Sequence, residues 1–184
     1  MSRLLAPHAK EIVGVDVSQG MVDEFNKHVQ EEGISPKAVH AIRAELKGEK
    51  DELDRKKFDI IMVRRIIWGP RCRLSLEIQC TQGYHHIADV RTVTKTLAFF
   101  LKPGGKLVVI DMMPHDGNDF LHTDTHYMSA AHTVSHKHGF TENEMKEFLE
   151  GAGLTEFTLI PNVAHVTYGG KGVSLFLAHG IKPE

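Results

Sequence analysis

The chain has 184 residues, enough for one domain with its own core, and its 41% apolar and 25% charged content is ordinary for a globular protein. A net charge of −2 provides no basic surplus to point to nucleic acid, and no apolar run approaches the roughly 18 residues of a membrane span. Residues 1–11 are too short and too interrupted for a secretory signal, and Cys72 and Cys80 make no disulfide framework, so a reducing cytoplasmic setting is expected.

Strand and helix signals alternate along the chain, which predicts an α/β layer fold with a mostly parallel sheet. Residues 2–9 read as the tail of a helix stopped near Pro7, and 12–16 (IVGVD) as a short buried strand. Ser18 is placed to cap a helix reaching about residue 32. Met21, Val22, Phe25 and Val29 form its apolar stripe, and Gly33 stops it. A second strand is expected at 38–42, then a solvated loop or short helix in KGEKDELDRKK. FDIIM at 58–62 reads as a strand apolar on both faces. Residues 88–101 fit a helix with Val90, Val93, Leu97 and Phe100 or Leu101 on one face. KPGG (Pro103, Gly104, Gly105) reads as a tight turn before a buried strand at 106–112. Thr141 and Glu144 form a capping box opening a helix that carries Met145, Phe148 and Leu149 and ends at Gly151 and Gly153. Strands at 157–161 and 173–180 follow, and Gly169, Gly170 and Gly172 between them predict a hairpin.

Asp16 ends its strand, and ligands in open α/β sheets bind outside carboxyl ends of strands. Its carboxylate can accept both hydroxyls of a ribose or, alternatively, cap the helix that follows. A ribose-binding acid normally trails a glycine-rich turn by about 20 residues. Only fifteen residues precede Asp16, and their one glycine, Gly14, lies inside the strand.

Thirteen histidines raise a metal question. HTDTH and HTVSHKH space imidazoles four apart, and His115, His122, His126, His132, His136 and His138 cluster in one region. The glutamate of an HExxH motif is missing and no cysteine lies nearby, so a metal site is not expected.

VGVDVSQGMVDEF, FDII, YHHIADV, LKPGGKLVVIDM and GFTENEMKEFLEGAGL, in this order, resemble a class I S-adenosylmethionine-dependent methyltransferase, and more narrowly the small-molecule methyltransferases of the ubiquinone-biosynthesis type. The ordered set carries the resemblance, which covers nearly the whole chain except 63–79. It implies a single Rossmann-like methyltransferase domain over 1–184, with an antiparallel C-terminal hairpin. It also implies that the family's first strand and glycine turn are absent from this sequence, that Met1 is an internal methionine, and that two strand edges, at 12–16 and 58–62, are left open where the central strand belongs.

The resemblance further implies S-adenosylmethionine as the cofactor and a small-molecule acceptor. Asp16 is expected on the ribose, with Val17, Ser18 and Met21 flanking the adenosine, Ser18 serving equally as a helix cap. Ala44 and Glu45 are expected near adenine, where Arg43 departs from an acid the family often has. Cys80, Thr81 and Gln82 are expected to line the cofactor pocket. Tyr84, His85 and His86 are expected toward the acceptor, where a histidine can take a proton or merely orient the loop. Asp111 is expected to face the acceptor site or to cap the next segment. Residues 115–138 correspond to a variable acceptor lid.

Residues 63–79 interrupt the family pattern between FDIIM and CTQGYHHI. Valine codons begin GT, glutamine can be encoded by CAG, and introns begin GT and end AG. The expectation is therefore a translated in-frame intron, with an inserted loop as the alternative. Two functions follow: methyl transfer to a small molecule, or a non-catalytic remnant that does not bind the donor.

Overall fold

A computed structural model describes residues 8–64, 83–115, 135–168 and 171–184. Strand β1 (Ile12–Asp16) pairs in parallel with β2 (Val39–Arg43), Gly14 opposite Ala41. A Cβ on Gly14 would meet Ala41 Cβ at 3.0 Å, so glycine lets the two strands and their side chains pack closely. Helix α1 (Gln19–Glu31) connects them. Ser18 caps it, its Oγ accepting from the Met21 N–H at 3.5 Å, and the chain leaves it through Gly33 at φ +69°. Val29 of the expected stripe joins Ile12 and Val39 in a small core with Phe25, Ile34 and Ala38.

The second sheet runs in the order β3 (Phe58–Arg64), β4 (Leu101–Met112), β6 (Lys171–Ile181), β5 (Thr155–Tyr168). β3 and β4 are parallel, and β6 lies antiparallel to both β4 and β5. Ile61, Val63, Leu107, Val109, Phe176 and Ala178 form its buried row. Helices α2 (Val90–Phe100) and α3 (Glu142–Gly151) supply Leu97, Phe100, Met145 and Leu149 to the same core. Asp89 caps α2 by accepting from the Thr92 N–H at 3.0 Å. Its last carbonyls are taken by two lysines: Lys182 Nζ donates to Ala98 O at 2.9 Å, and Lys57 Nζ to Phe99 O at 2.7 Å. Burial and the neighbouring Lys182 charge hold the Lys57 amine below its usual range. The expected capping box opens α3, Thr141 and Glu144 each accepting from the other's backbone N–H.

Two elements differ from expectation. KPGG is not a turn ahead of the strand: β4 begins at Leu101, directly after α2, and pairs with Phe58 before the register shifts and resumes at Ile60–Lys106. Gly104 sits at φ +72° inside it, and a Cβ on Gly105 would meet Phe58 O at 2.9 Å, so both glycines serve the bulge. β5 is longer than 157–161 because it is an edge strand, where Pro161 and the left-handed Asn162 (φ +56°) are tolerated beside a register shift. The expected helix tail at 2–9 lies largely outside the described residues, as do Gly169 and Gly170. Val63 and Arg64, the first residues of the interrupting segment, extend β3 opposite Val109 and Ile110; 65–79 lie outside the described residues.

Among the described residues no strand pairing joins β1 to β3. Ile12 N donates to Ala38 O and Asp16 O accepts from Ala44 N. With the alternation of a parallel ladder, the peptide groups of Val13 and Val15 therefore turn to the other edge. A groove of about 670 Å³ separates the strands at their amino ends, with Glu11, Ile12 and Val13 on one wall and Phe58, Asp59 and Ile60 on the other. Lys56 bridges it to Glu11 at 2.6 Å.

Candidate functional site

Two strand ends carry the candidate groups. At the first, Asp16 closes β1 half-buried, and its Oδ1 accepts from the Ser18 N–H at 2.7 Å. That bond fixes the carboxylate where the chain turns from strand into helix. Val17, beside it, is 60% exposed, an apolar surface next to an anchored acid. Arg43 Nε donates to Val17 O at 3.0 Å, which ties the β2 end to the β1 end. Ser18 is the helix cap, Met21 is half-buried on α1, Ala44 packs partly against the main core, and Glu45 is exposed. The structure thus gathers Asp16, Val17, Ser18, Ala44 and Glu45 around the carboxyl ends of two paired parallel strands.

At the second, Asp111 lies one residue from the end of β4 and is buried. His85 comes from a 3-10 turn (Tyr84–His86) and is fully buried. His85 Nδ1 lies 2.6 Å from Asp111 Oδ1, and the His85 N–H donates to Asp111 Oδ2 at 3.2 Å. The Met112 N–H adds a third bond to the carboxylate at 2.7 Å. Gly83 leaves the room: a Cβ there would stand 2.9 Å from both Asp111 Oδ2 and His85 Cε1. The His85 carbonyl accepts from the Ser135 and His136 N–H groups, each at 2.9 Å, so the segment leading to α3 is fastened to the same turn. His86 is half-buried, its ring centroid 4.3 Å from that of His85.

Tyr84 was expected beside these histidines toward the acceptor. Its ring is fully buried in the core, edge-on to Phe140, with its hydroxyl bonded to Thr94 at 3.0 Å. The half-turn that buries His85 against Asp111 turns the phenol toward α2. Cys80, Thr81 and Gln82 lie outside the described residues, as do His122, His126 and His132. Among the described residues no group of three or more histidine, cysteine, aspartate or glutamate side chains could hold a metal ion. None of the described helices is long and apolar enough to cross a membrane. The pairing of His85 with Asp111 was not read from the sequence; the two stand 26 residues apart and meet only through the register of β4.

The donor set fits the adenosine end of a nucleoside ligand. It has an acid anchored at a parallel strand's carboxyl end, apolar surface beside it, and a second strand end tied to the first. The family's glycine turn has no counterpart among the described residues.

No protein-family model matches the chain. It is 32% identical over 164 residues to an uncharacterized methyltransferase of Schizosaccharomyces pombe, an alignment covering 87% of this chain and 51% of that protein. The chain therefore spans about half the length of this relative. The crystal structure of YcgJ from Bacillus subtilis superposes with a TM-score of 0.61 at 18% identity, covering 100% of this chain and 87% of that one. The Haemonchus contortus phosphoethanolamine N-methyltransferase 2, in complex with S-adenosyl-L-methionine, gives 0.62 at 13% identity, covering 100% of this chain and 46% of the other. These structural likenesses establish the fold, a mixed parallel and antiparallel α/β sheet with an antiparallel C-terminal hairpin. The chain is thus similar to a fission-yeast methyltransferase over about half of that protein's length, and it shares its fold with solved methyltransferases, one of them in complex with S-adenosyl-L-methionine.

Proposed function

We propose that this chain is the methyl-transfer domain of a protein that acts on a small molecule, with the donor's ribose on Asp16. The observation that carries the reading is the Asp16 carboxylate, fixed by the Ser18 N–H at 2.7 Å beside the exposed Val17. When bound, the donor supplies a methyl group already activated on a sulfonium. The protein's part is then to hold the acceptor in line with that methyl and to exclude water. Asp16 takes the ribose hydroxyls. Val17, Met21, Ala44 and Glu45 flank the base, and Ser18 stays the helix cap. His85 and His86 stand on the acceptor side.

Titration of the full chain with S-adenosylmethionine by calorimetry tests this reading. Saturable binding that Asp16→Ala weakens at least tenfold is the expected result. Absence of binding at millimolar donor overturns it and favours the second reading, a remnant that keeps the fold without the donor. The specific observation on that side is the open groove between β1 and β3, since the family's donor loop follows the strand that belongs there.

A further inference from the structure

The loop between β2 and β3 carries a run of left-handed backbone. Leu53, Asp54 and Arg55 take φ values of 52°, 53° and 64°. Residues with a Cβ visit that region singly rather than in runs, because Cβ crowds the carbonyl that follows. Such a run persists only where its surroundings hold it. Two restraints are present. Leu53 is buried in the main core. Glu52, one residue earlier, is held by the backbone: its carboxylate accepts from the Lys47 N–H at 2.9 Å, the Gly48 N–H at 2.9 Å and the Glu49 N–H at 2.8 Å. Three successive amides turned onto one anion form a nest, and Gly48 at φ +82° makes the turn that aims them. Desolvation pushes the Glu52 carboxyl up, but the three N–H groups and the Lys47 charge outweigh it and hold the group below its usual range.

The same stretch leads out of the proposed donor site. Ala44 N donates to Asp16 O at 3.0 Å, and only Glu45 and Leu46 separate Ala44 from the nest, Leu46 packing against the core. On the far side Arg55 pairs with Asp51 at 2.7 Å, and Lys57 is fixed on Phe99 O at 2.7 Å just before β3 begins. The loop is thus pinned where it leaves β2 and where it enters β3, and the Glu52 carboxylate ties its first half to its second. We infer, resting on the methyl-transfer reading above, that Glu52 is a positioning residue for donor binding: its carboxylate latches the strained turn and so sets the backbone of Ala44 and Glu45 beside the base. Glu52 acts through this backbone and does not touch the donor. Without the latch the three amides turn to water, the left-handed run loses the tether beside it, and 44–49 samples other conformations. The donor then selects the latched one, and its apparent affinity falls by the latched fraction, about tenfold for a fraction of about one in ten.

Backbone and binding are measured separately in the full chain. Hydrogen exchange of the donor-free wild type should find the 47–49 amides protected, and Glu52→Ala should speed exchange across 44–49 with β4 and β6 unchanged. By calorimetry Glu52→Ala should bind S-adenosylmethionine about tenfold more weakly. Sodium acetate, a free carboxylate sized for the vacated nest, should restore both slow exchange and affinity in Glu52→Ala and alter neither in the wild type. Sodium chloride at the same ionic strength should restore nothing. Glu52→Gln keeps one acceptor oxygen and should fall between the two, and it carries the comparison where Glu52→Ala fails to fold. Thr141→Ala, weakened at a distant helix cap, should keep wild-type donor affinity, which separates loss of position from loss of stability. Fast wild-type exchange at 47–49, donor affinity in both Glu52 variants within about twofold of wild type, or a loss in Glu52→Ala that acetate does not reverse overturns the proposal. Absence of donor binding in the wild type overturns the methyl-transfer reading and this role with it, while the exchange data still report whether the latch exists.

Discussion

The two sheets differ in how their edges are finished. In the β3–β4–β6–β5 sheet, β6 is paired on both sides, and its Phe176 and Ala178 are fully buried in the core that α2 and α3 also enter. The β1–β2 pair has one helix, a small core of Ile12, Val29 and Val39, and two edges to manage. It finishes one of them chemically. Asn26 of α1 reaches the outer edge of β2, donating to Ala41 O at 3.0 Å and accepting from Ala41 N at 2.8 Å, so a side chain stands where a neighbouring strand would. The other edge, Val13 and Val15 of β1, turns toward β3, and among the described residues no strand lies between them. The lesson is that a side chain can shield an edge as a neighbouring strand would: Asn26 does so for β2, while among the described residues no strand pairs with the β1 edge that faces β3.

Substitutions can sharpen or break this contrast. The largest effect is expected in the four-stranded sheet: Phe176→Ala should cost about 3–5 kcal/mol and shift the whole denaturation curve, since its neighbours come from several elements. A localised change confined to β5 and β6 would contradict the claim that this sheet is the cooperative unit. Asn26→Ala should cost about 1–3 kcal/mol by orphaning a part-buried amide and carbonyl. Its signature in hydrogen exchange should be faster opening across 12–43 with β4 and β6 unchanged; global destabilisation would show the two regions to be one unit. The smallest change is expected at the α3 cap. Thr141→Ala should cost about 1 kcal/mol. Hydrogen bonds from Thr141 backbone and side chain hold the Glu144 carboxyl below its ordinary range, so this contribution is present at neutral pH and is lost as pH falls through the carboxylate range. The difference between wild type and Thr141→Ala should therefore narrow in acid, and a constant difference would mean that Glu144 takes no part in the cap.

Much of the fold was legible because its signals are local. Ser18, Gly33 and Thr141 with Glu144 each act within one turn of chain, the apolar stripe on α1 within a single helix, and each does in the structure what its chemistry dictates. The bulged start of β4 was not legible, because KPGG has the composition of a turn and only the pairing of Leu101 with Phe58 makes it strand. The length of β5 was hidden for a similar reason: Pro161, Asn162 and His165 do not look like strand residues, and an edge position is what permits them. In the site, Asp16 could be read from its place at the end of an apolar run. His85 and Asp111 could each be singled out, one for its chemistry and one for ending a strand, but they meet across 26 residues, in the space left by Gly83. Tyr84 shows the reverse case, a residue adjacent in sequence to a candidate base whose side chain the same turn sends into the core.

The most direct measurement is hydrogen exchange of the full chain with and without saturating S-adenosylmethionine, read by mass spectrometry. The account predicts slower exchange at 12–20 and 43–46, where Asp16, Ser18 and the β2 end would be ordered by the donor's ribose and base, with little change in β6. Identical exchange in those two segments with donor present would contradict the assignment of Asp16 to the ribose and, with it, the methyl-transfer reading of this chain.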